Sequence, residues 1–169
     1  KAAGEGIMDA VLVMAQIHDE GGPRQDMKEC MHWLNIAAEK GNKNAQCRLG
    51  QILIYGLGGV ERDTQKGYHW LTFSAQQGYT PAIYILAELN LLYTNNNQEA
   101  MRMGLNQLTQ CIKESYPPAF MLMGQCYLEG RAVVKDHAQA VKFFQLSAEH
   151  GNINAELLLA KLYNGEVEG

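Results

Sequence analysis

Nine side chains in this sequence have the chemistry to hold a metal or attack a substrate: His18, His32, His69, His137 and His150, with Cys30, Cys47, Cys111 and Cys126. His32 and His69 each precede a tryptophan, Trp33 and Trp70, at the same phase of a repeat described below. Rings carried on neighbouring helices stand about 10 Å apart, whereas zinc holds its ligands near ~2 Å. The pair therefore reads as solvated, outer-face histidines. His18, His137 and His150 fall near expected helix ends, where capping or surface roles fit better than proton transfer. The cysteines lie far apart, without the close pairs of a zinc ribbon or a dense disulfide framework, and read as buried small apolar residues. A paired arrangement would instead point to an oxidising compartment. No motif gathers a base and an orienting partner around any thiol, as a cysteine nucleophile requires. The glycine run Gly56-Leu57-Gly58-Gly59-Val60 has no preceding strand and no Gly-Lys-Ser/Thr ending, so it lacks the parts of a phosphate cradle. The sequence thus predicts no catalytic group, no metal site and no cofactor, and the chain is expected not to be an enzyme.

The totals narrow the partners. The 169 residues are 47% hydrophobic and 19% charged, a composition that folds around a core. A net charge of -4, with 14 scattered Lys and Arg, argues against nucleic acid, whose phosphates demand clustered bases. The longest apolar stretch, Ala82 to Tyr93, is broken by Glu88 and Asn90 and falls short of the ~20 residues a bilayer requires. No transmembrane segment is expected. The chain opens on Lys1 without a signal-like run, which is compatible with a targeting segment removed before this numbering; a soluble protein is expected, and its compartment, periplasm, exterior or cytoplasm, stays open.

What orders these residues is a repeat. A Gly followed four residues later by Ala recurs at Gly6/Ala10, Gly41/Ala45, Gly78/Ala82 and Gly151/Ala155, and Ser115/Ala119 fills the gap. The alanines are separated by 35, 37, 37 and 36 residues, the length of one helix-turn-helix unit of a solenoid. In phase with them come Met14-Ala15, Leu49-Gly50, Leu86-Ala87, Met123-Gly124 and Leu159-Ala160, where the small residue lets a second helix approach. Trp33, Trp70 and Phe143 sit eight residues before the next Gly and are expected to fill the space between paired helices. Asp26, Asp63 and Asp136 mark second-helix starts, with Glu29 and Gln139 placed as in a capping box. Gly41, Gly78 and Gly151 mark the ends of those helices. The predicted fold is an all-α, right-handed α-α superhelix of antiparallel helix pairs. It forms one solenoid over residues 1–169, with units near 6–40, 41–77, 78–114, 115–150 and a partial 151–169.

These residues resemble the Sel-one-like repeat family, relatives of the tetratricopeptide repeats. Ala45 to Gly78 carries Leu49-Gly50, Gly56, Gly58, Val60, Asp63, Lys66, Trp70 and Ala75 in the family's order. The unit from Ala119 repeats it with Tyr127, Gly130, Val133, Asp136, Ala140 and Ala148. The unit from Ala82 departs most, with Thr94-Asn95-Asn96-Asn97 in the loop and Gln107 in place of the aromatic, which predicts a shifted or loosely packed second helix. The last unit stops after one helix, whose apolar face predicts a continuation or a cap.

The resemblance to tetratricopeptide repeats implies a concave groove lined by residues two before and two after each Leu. That gives an apolar row of Leu12, Cys47, Tyr84, Met121 and Leu157 and a mostly amide row of Gln16, Gln51, Glu88, Gln125 and Lys161, widened by Ile54, Leu91 and Leu128. Apolar side chains of a peptide would bury on the first row while its backbone meets the glutamines. An equally open alternative is that the first row belongs to the core stripe every such helix carries. The implied function is an adaptor or scaffold, in a bacterial protein, for a protein or peptide partner. The alternative is an envelope protein that binds a peptidoglycan fragment or a beta-lactam, although the regular Cys pairs of the cysteine-rich branch are absent. A third is a spacer segment that binds nothing.

Overall fold

The computed structural model of this chain describes residues 24–94 and 97–164, with side chains from Met27 onward. Among the described residues eight α-helices follow one another: α1 (Arg24–Glu39), α2 (Lys43–Tyr55), α3 (Thr64–Gln76), α4 (Thr80–Leu92), α5 (Gln98–Lys113), α6 (Pro117–Glu129), α7 (His137–Glu149) and α8 (Ile153–Tyr163). The described residues contain no strand. The fold is therefore the all-α helix-pair fold that the repeat predicts, with α2, α4, α6 and α8 as first helices and α1, α3, α5 and α7 as second helices. Gly6, Ala10, Leu12, Met14, Ala15, Gln16 and His18 lie outside the described residues.

Side chains set where the helices begin. Asp63 Oδ1 accepts from the Lys66 amide at 3.0 Å and Asp136 Oδ1 from the Gln139 amide at 3.0 Å, satisfying donors a helix start leaves open. The sequence reading missed that first helices use asparagine: Asn42 Oδ1 accepts from the Ala45 amide, and Asn152 from those of Asn154 and Ala155. α1 begins at Arg24, so Asp26 lies inside its first turn and is not the residue that starts it. After the second helices the backbone turns left-handed at Gly41, Gly78 and Gly151, where Gly meets no Cβ penalty. Ser115 takes the same conformation, at φ 55°, in the one unit that lacks the glycine.

The chain divides into two compact units, Lys1–Ile83 and Tyr84–Gly169. In the first, Met27, Cys30, Leu34, Ala37 and Ala38 of α1 pack with Ala45, Leu49 and Ile52 of α2, and Leu53, Val60 and Trp70 lean on that core. In the second, Ala140 and Phe144 of α7 and Ala155 of α8 form a core flanked by Met121, Tyr127, Leu128, Leu158, Leu159 and Leu162.

In the pairs α2/α3 and α6/α7 the residue that fills the space is one later than expected. Leu34, Leu71, Leu108 and Phe144 are fully buried, while Trp33 is 41% exposed. The cause is the crossing point. A Cβ on Gly50 would lie 2.7 Å from Leu71 Cγ, and one on Gly124 would lie 2.5 Å from the Phe144 ring, so these side chains occupy the hollow over the first helix's small residue. Trp70 and Phe143 sit a residue to the side and are half-buried, Phe143 stacking on Tyr127 with ring centroids 5.6 Å apart. Burial of each Leu or Phe contributes about 1.5–3 kcal/mol.

The pair α4/α5 is not loosely packed. Gly104 approaches Ala87 so closely that an added Cβ would sit 3.0 Å from its carbonyl oxygen and 2.9 Å from Leu91 Cγ, and Leu108 and Cys111 are fully buried. Asn90 and Gln107 take the places that Tyr127 and Phe143 hold in the next pair, and Asn90 Nδ2 donates to Gln107 Oε1 at 3.0 Å. An amide pair thus stands where the next helix pair has an aromatic stack.

Candidate functional site

No helix among the described residues is long and apolar enough to cross a membrane. No three His, Cys, Asp or Glu side chains gather among them as metal ligands would. His32 and His69 are exposed, each edge-on to its neighbouring tryptophan, and His150 stacks flat on Phe120 at 5.3 Å. The four cysteines are buried and none forms a disulfide. Burial, only partly offset by Arg48, pushes the Cys47 thiol up to about 12, and burial pushes Cys111 and Cys126 up to about 11. Such thiols stay protonated and pack as small apolar groups.

The residues nominated for the groove separate by burial. Cys47 and Ile54 are 4% exposed and Leu91 is 2%, so these three line the core and not a surface. The reason is that a first helix packs on more than one side and buries more than a single stripe: Leu91, for example, faces Gly104 of α5 with its side chain, while its carbonyl accepts from Arg131 Nη1 at 3.2 Å. Gln51, Tyr84, Glu88, Met121, Gln125 and Leu128 are half-buried, and Leu157 is 55% exposed. Met121 and Leu128 also lean on the Phe144 core, so each has one side in and one side out.

In the 84–169 unit the surviving positions fall on three first helices: Tyr84 and Glu88 on α4, Met121, Gln125 and Leu128 on α6, Leu157 on α8. Tyr116, at the N-cap position of α6 where α2 and α8 carry Asn42 and Asn152, packs its ring on Tyr84 at 5.4 Å and 56°. The sequence reading missed Tyr116. Its signal was available in the aromatic that replaces asparagine directly after Ser115. Burial, and next the carboxylate of Glu88, push the Tyr84 phenol above its ordinary range. What the arrangement offers is apolar contact area, amide donors and acceptors, and one carboxylate beside two rings.

The Sel1 repeat model matches residues 9–42, 43–79 and 118–152. The chain belongs to the Sel1 repeat family. Sel1 repeats form helical scaffolds for protein interactions. The unmatched stretch between the second and third matches holds the Asn90–Gln107 pair. Among solved structures, the chain is similar to c5321, a protective antigen present in uropathogenic Escherichia coli strains that displays an SLR fold. The two share a TM-score of 0.76 and 26% identity, over 95% of this chain and 34% of that one. A Sel1 repeat protein from Oxalobacter formigenes gives a TM-score of 0.71 and 28% identity, over 90% of this chain and 63% of its own. The chain therefore spans less than two thirds of either. Helicobacter pylori cysteine rich protein B shares the fold, with a TM-score of 0.55 and 18% identity over 82% of this chain and 98% of that one. No curated protein matches the sequence.

Proposed function

We propose that this chain is a non-catalytic scaffold that binds a protein or peptide segment, and that in the 84–169 unit the partner lies across the first helices. The repeat units, near 6–40, 41–77, 78–114, 115–150 and 151–169, then serve to present that face, since solenoids dock their partners on the side their stacked helices curve around. The observation that supports this is the run of half-buried and exposed side chains, Tyr84, Glu88, Met121, Gln125 and Leu157, over three successive first helices. A fully apolar stripe would read as core and a fully charged one as a solvated surface. Alternating apolar and amide groups suit an extended backbone whose side chains point both ways.

The test is isothermal calorimetry with peptides selected on the protein from a displayed random library, repeated on Leu157→Ala with Gln125→Ala. Neither side chain is fully buried, so the fold should survive, which circular dichroism checks. At least tenfold weaker binding is expected. Unchanged affinity would place the binding surface elsewhere, and saturable uptake of muropeptides with no selected peptide would favour the small-ligand alternative.

A further inference from the structure

We propose that the hollow between the first turns of α5 and the α6–α7 loop binds a free α-amino acid with an apolar side chain. Its carboxylate meets Arg102, its ammonium meets Glu99 and its side chain lies against Met101, Leu105 and Ala132. The site stands off the first helices and does not depend on the peptide reading above.

A cavity of about 400 Å³ lies there, lined by Gln98, Glu99, Met101, Arg102, Leu105 and Ala132. Small-ligand sites run from about 300 to 1,000 Å³, so a single amino acid fits. Met101 is buried and Leu105 half-buried, which makes the floor apolar, while Gln98, Glu99 and Arg102 are exposed and form a polar rim. Glu99 and Arg102 stand three positions apart on α5, where opposite charges are neighbours on one helix face. Yet among the described residues neither the Glu99 carboxylate nor the Arg102 guanidinium has an ion-pair or hydrogen-bond partner. Two open charges of opposite sign above an apolar floor match a zwitterion: the guanidinium donates two N–H groups to the ligand's carboxylate, and the Glu99 carboxylate accepts from its ammonium. A ligand with a carboxylate alone is repelled by Glu99, and one with an amine alone by Arg102.

The earlier repeat shows what keeps the hollow open. Met101, Gly130 and Ala132 stand at the positions that Met27, Gly56 and Gly58 hold in the pair before, and Gly58 and Ala132 share a left-handed backbone, at φ 63° and 59°. Over Gly58 the Met27 methyl closes so tightly that a Cβ there would collide with Met27 Cε. Ala132 carries that Cβ, so Met101 is held from closing in the same way and space remains. Alanine bears a strain in this conformation that glycine does not, and strain of this kind collects where a backbone shapes a ligand site.

A heteronuclear NMR titration of the whole chain with L-leucine tests this, with N-acetyl-L-leucine, L-leucinamide and glycine as comparators. Saturable shifts are expected at the amides of residues 98–105 and of Ala132, at about millimolar affinity or tighter. Each comparator lacks in turn the ammonium, the carboxylate or the apolar side chain, and each should bind at least tenfold more weakly. Arg102→Gln and Glu99→Gln should each weaken leucine binding about tenfold. Ala132→Gly separates the site from the fold: the melting temperature should rise as the strain goes, while leucine binding falls at least tenfold as Met101 closes over the glycine. No saturation, saturation elsewhere on the chain, a capped leucine that binds as well as leucine, or an Ala132→Gly protein that binds like the parent overturns the inference and leaves the peptide scaffold standing.

Discussion

Replacing Gly67 by alanine loads a crossing where two helices meet glycine to glycine. Gly67 of α3 and Gly50 of α2 face one another, and an added Cβ on Gly67 would lie 2.7 Å from Ile54 Cγ1, 2.9 Å from the Gly50 carbonyl oxygen and 3.0 Å from the Ile54 amide nitrogen. Two of those three atoms are main chain, so no change of rotamer relieves the contact and α3 must move off α2 by a few tenths of an ångström. Overpacking of this kind costs about 1–3 kcal/mol. Alanine's better fit to a helix returns about 0.5–1 kcal/mol. The net loss is about 0–2.5 kcal/mol, and at about 2–4 °C per kcal/mol for a chain of this size the melting temperature should fall by up to about 10 °C. Thermal and urea melts followed by circular dichroism measure it, with Gly50→Ala as the reciprocal substitution. A Gly67→Ala protein that melts above the parent would mean that the helices do not cross at a pair of glycines, and the explanation of why small residues recur at this phase would fall.

Three further outcomes can be measured on the same protein. Asp136→Ala removes the acceptor for the Gln139 amide and should cost about 1 kcal/mol in urea unfolding, with little change in binding to the first-helix face. Ser115→Gly should raise stability by up to about 1 kcal/mol, because serine holds a left-handed backbone that glycine adopts without strain. Burial raises the Cys47, Cys111 and Cys126 thiols to about 11–12, so the unfolded chain ionises them first, near the ordinary ~8.5. Stability should therefore be intact below that value and decline as pH rises toward 11–12, and a thiol reagent should count four reactive cysteines only in denaturant.

The repeat makes the helices and their pairing legible in the residues themselves, because each unit imposes the same neighbours at the same phase. Leu49-Gly50 and Met123-Gly124 signal close approach, and the glycines after each second helix signal its end. Which of two adjacent apolar residues enters the gap is not legible. Trp70 and Leu71 are both hydrophobic, and a step of one residue turns a helix through about 100°, so the crossing at Gly50 decides that leucine is buried and tryptophan half-buried. The larger side chain is not the better filler when a glycine on the facing helix has already closed the space.

The same limit explains the site. Cys47, Tyr84, Met121 and Leu157 share one phase, yet their exposure runs from 4% at Cys47 to 55% at Leu157. Phase fixes the direction a side chain leaves its helix, whereas burial depends on what stands beyond it. On α8 the registers of Gln46, Cys47 and Gly50 carry Glu156, Leu157 and Ala160, and all three are exposed where their counterparts on α2 are buried. A row read from sequence is thus a set of directions, and it becomes a surface only where the neighbouring helix leaves room. Glu88 and Gln125 are half-buried and Lys161 is exposed, so at these positions the direction read from sequence still reaches the surface, as the polar groups require.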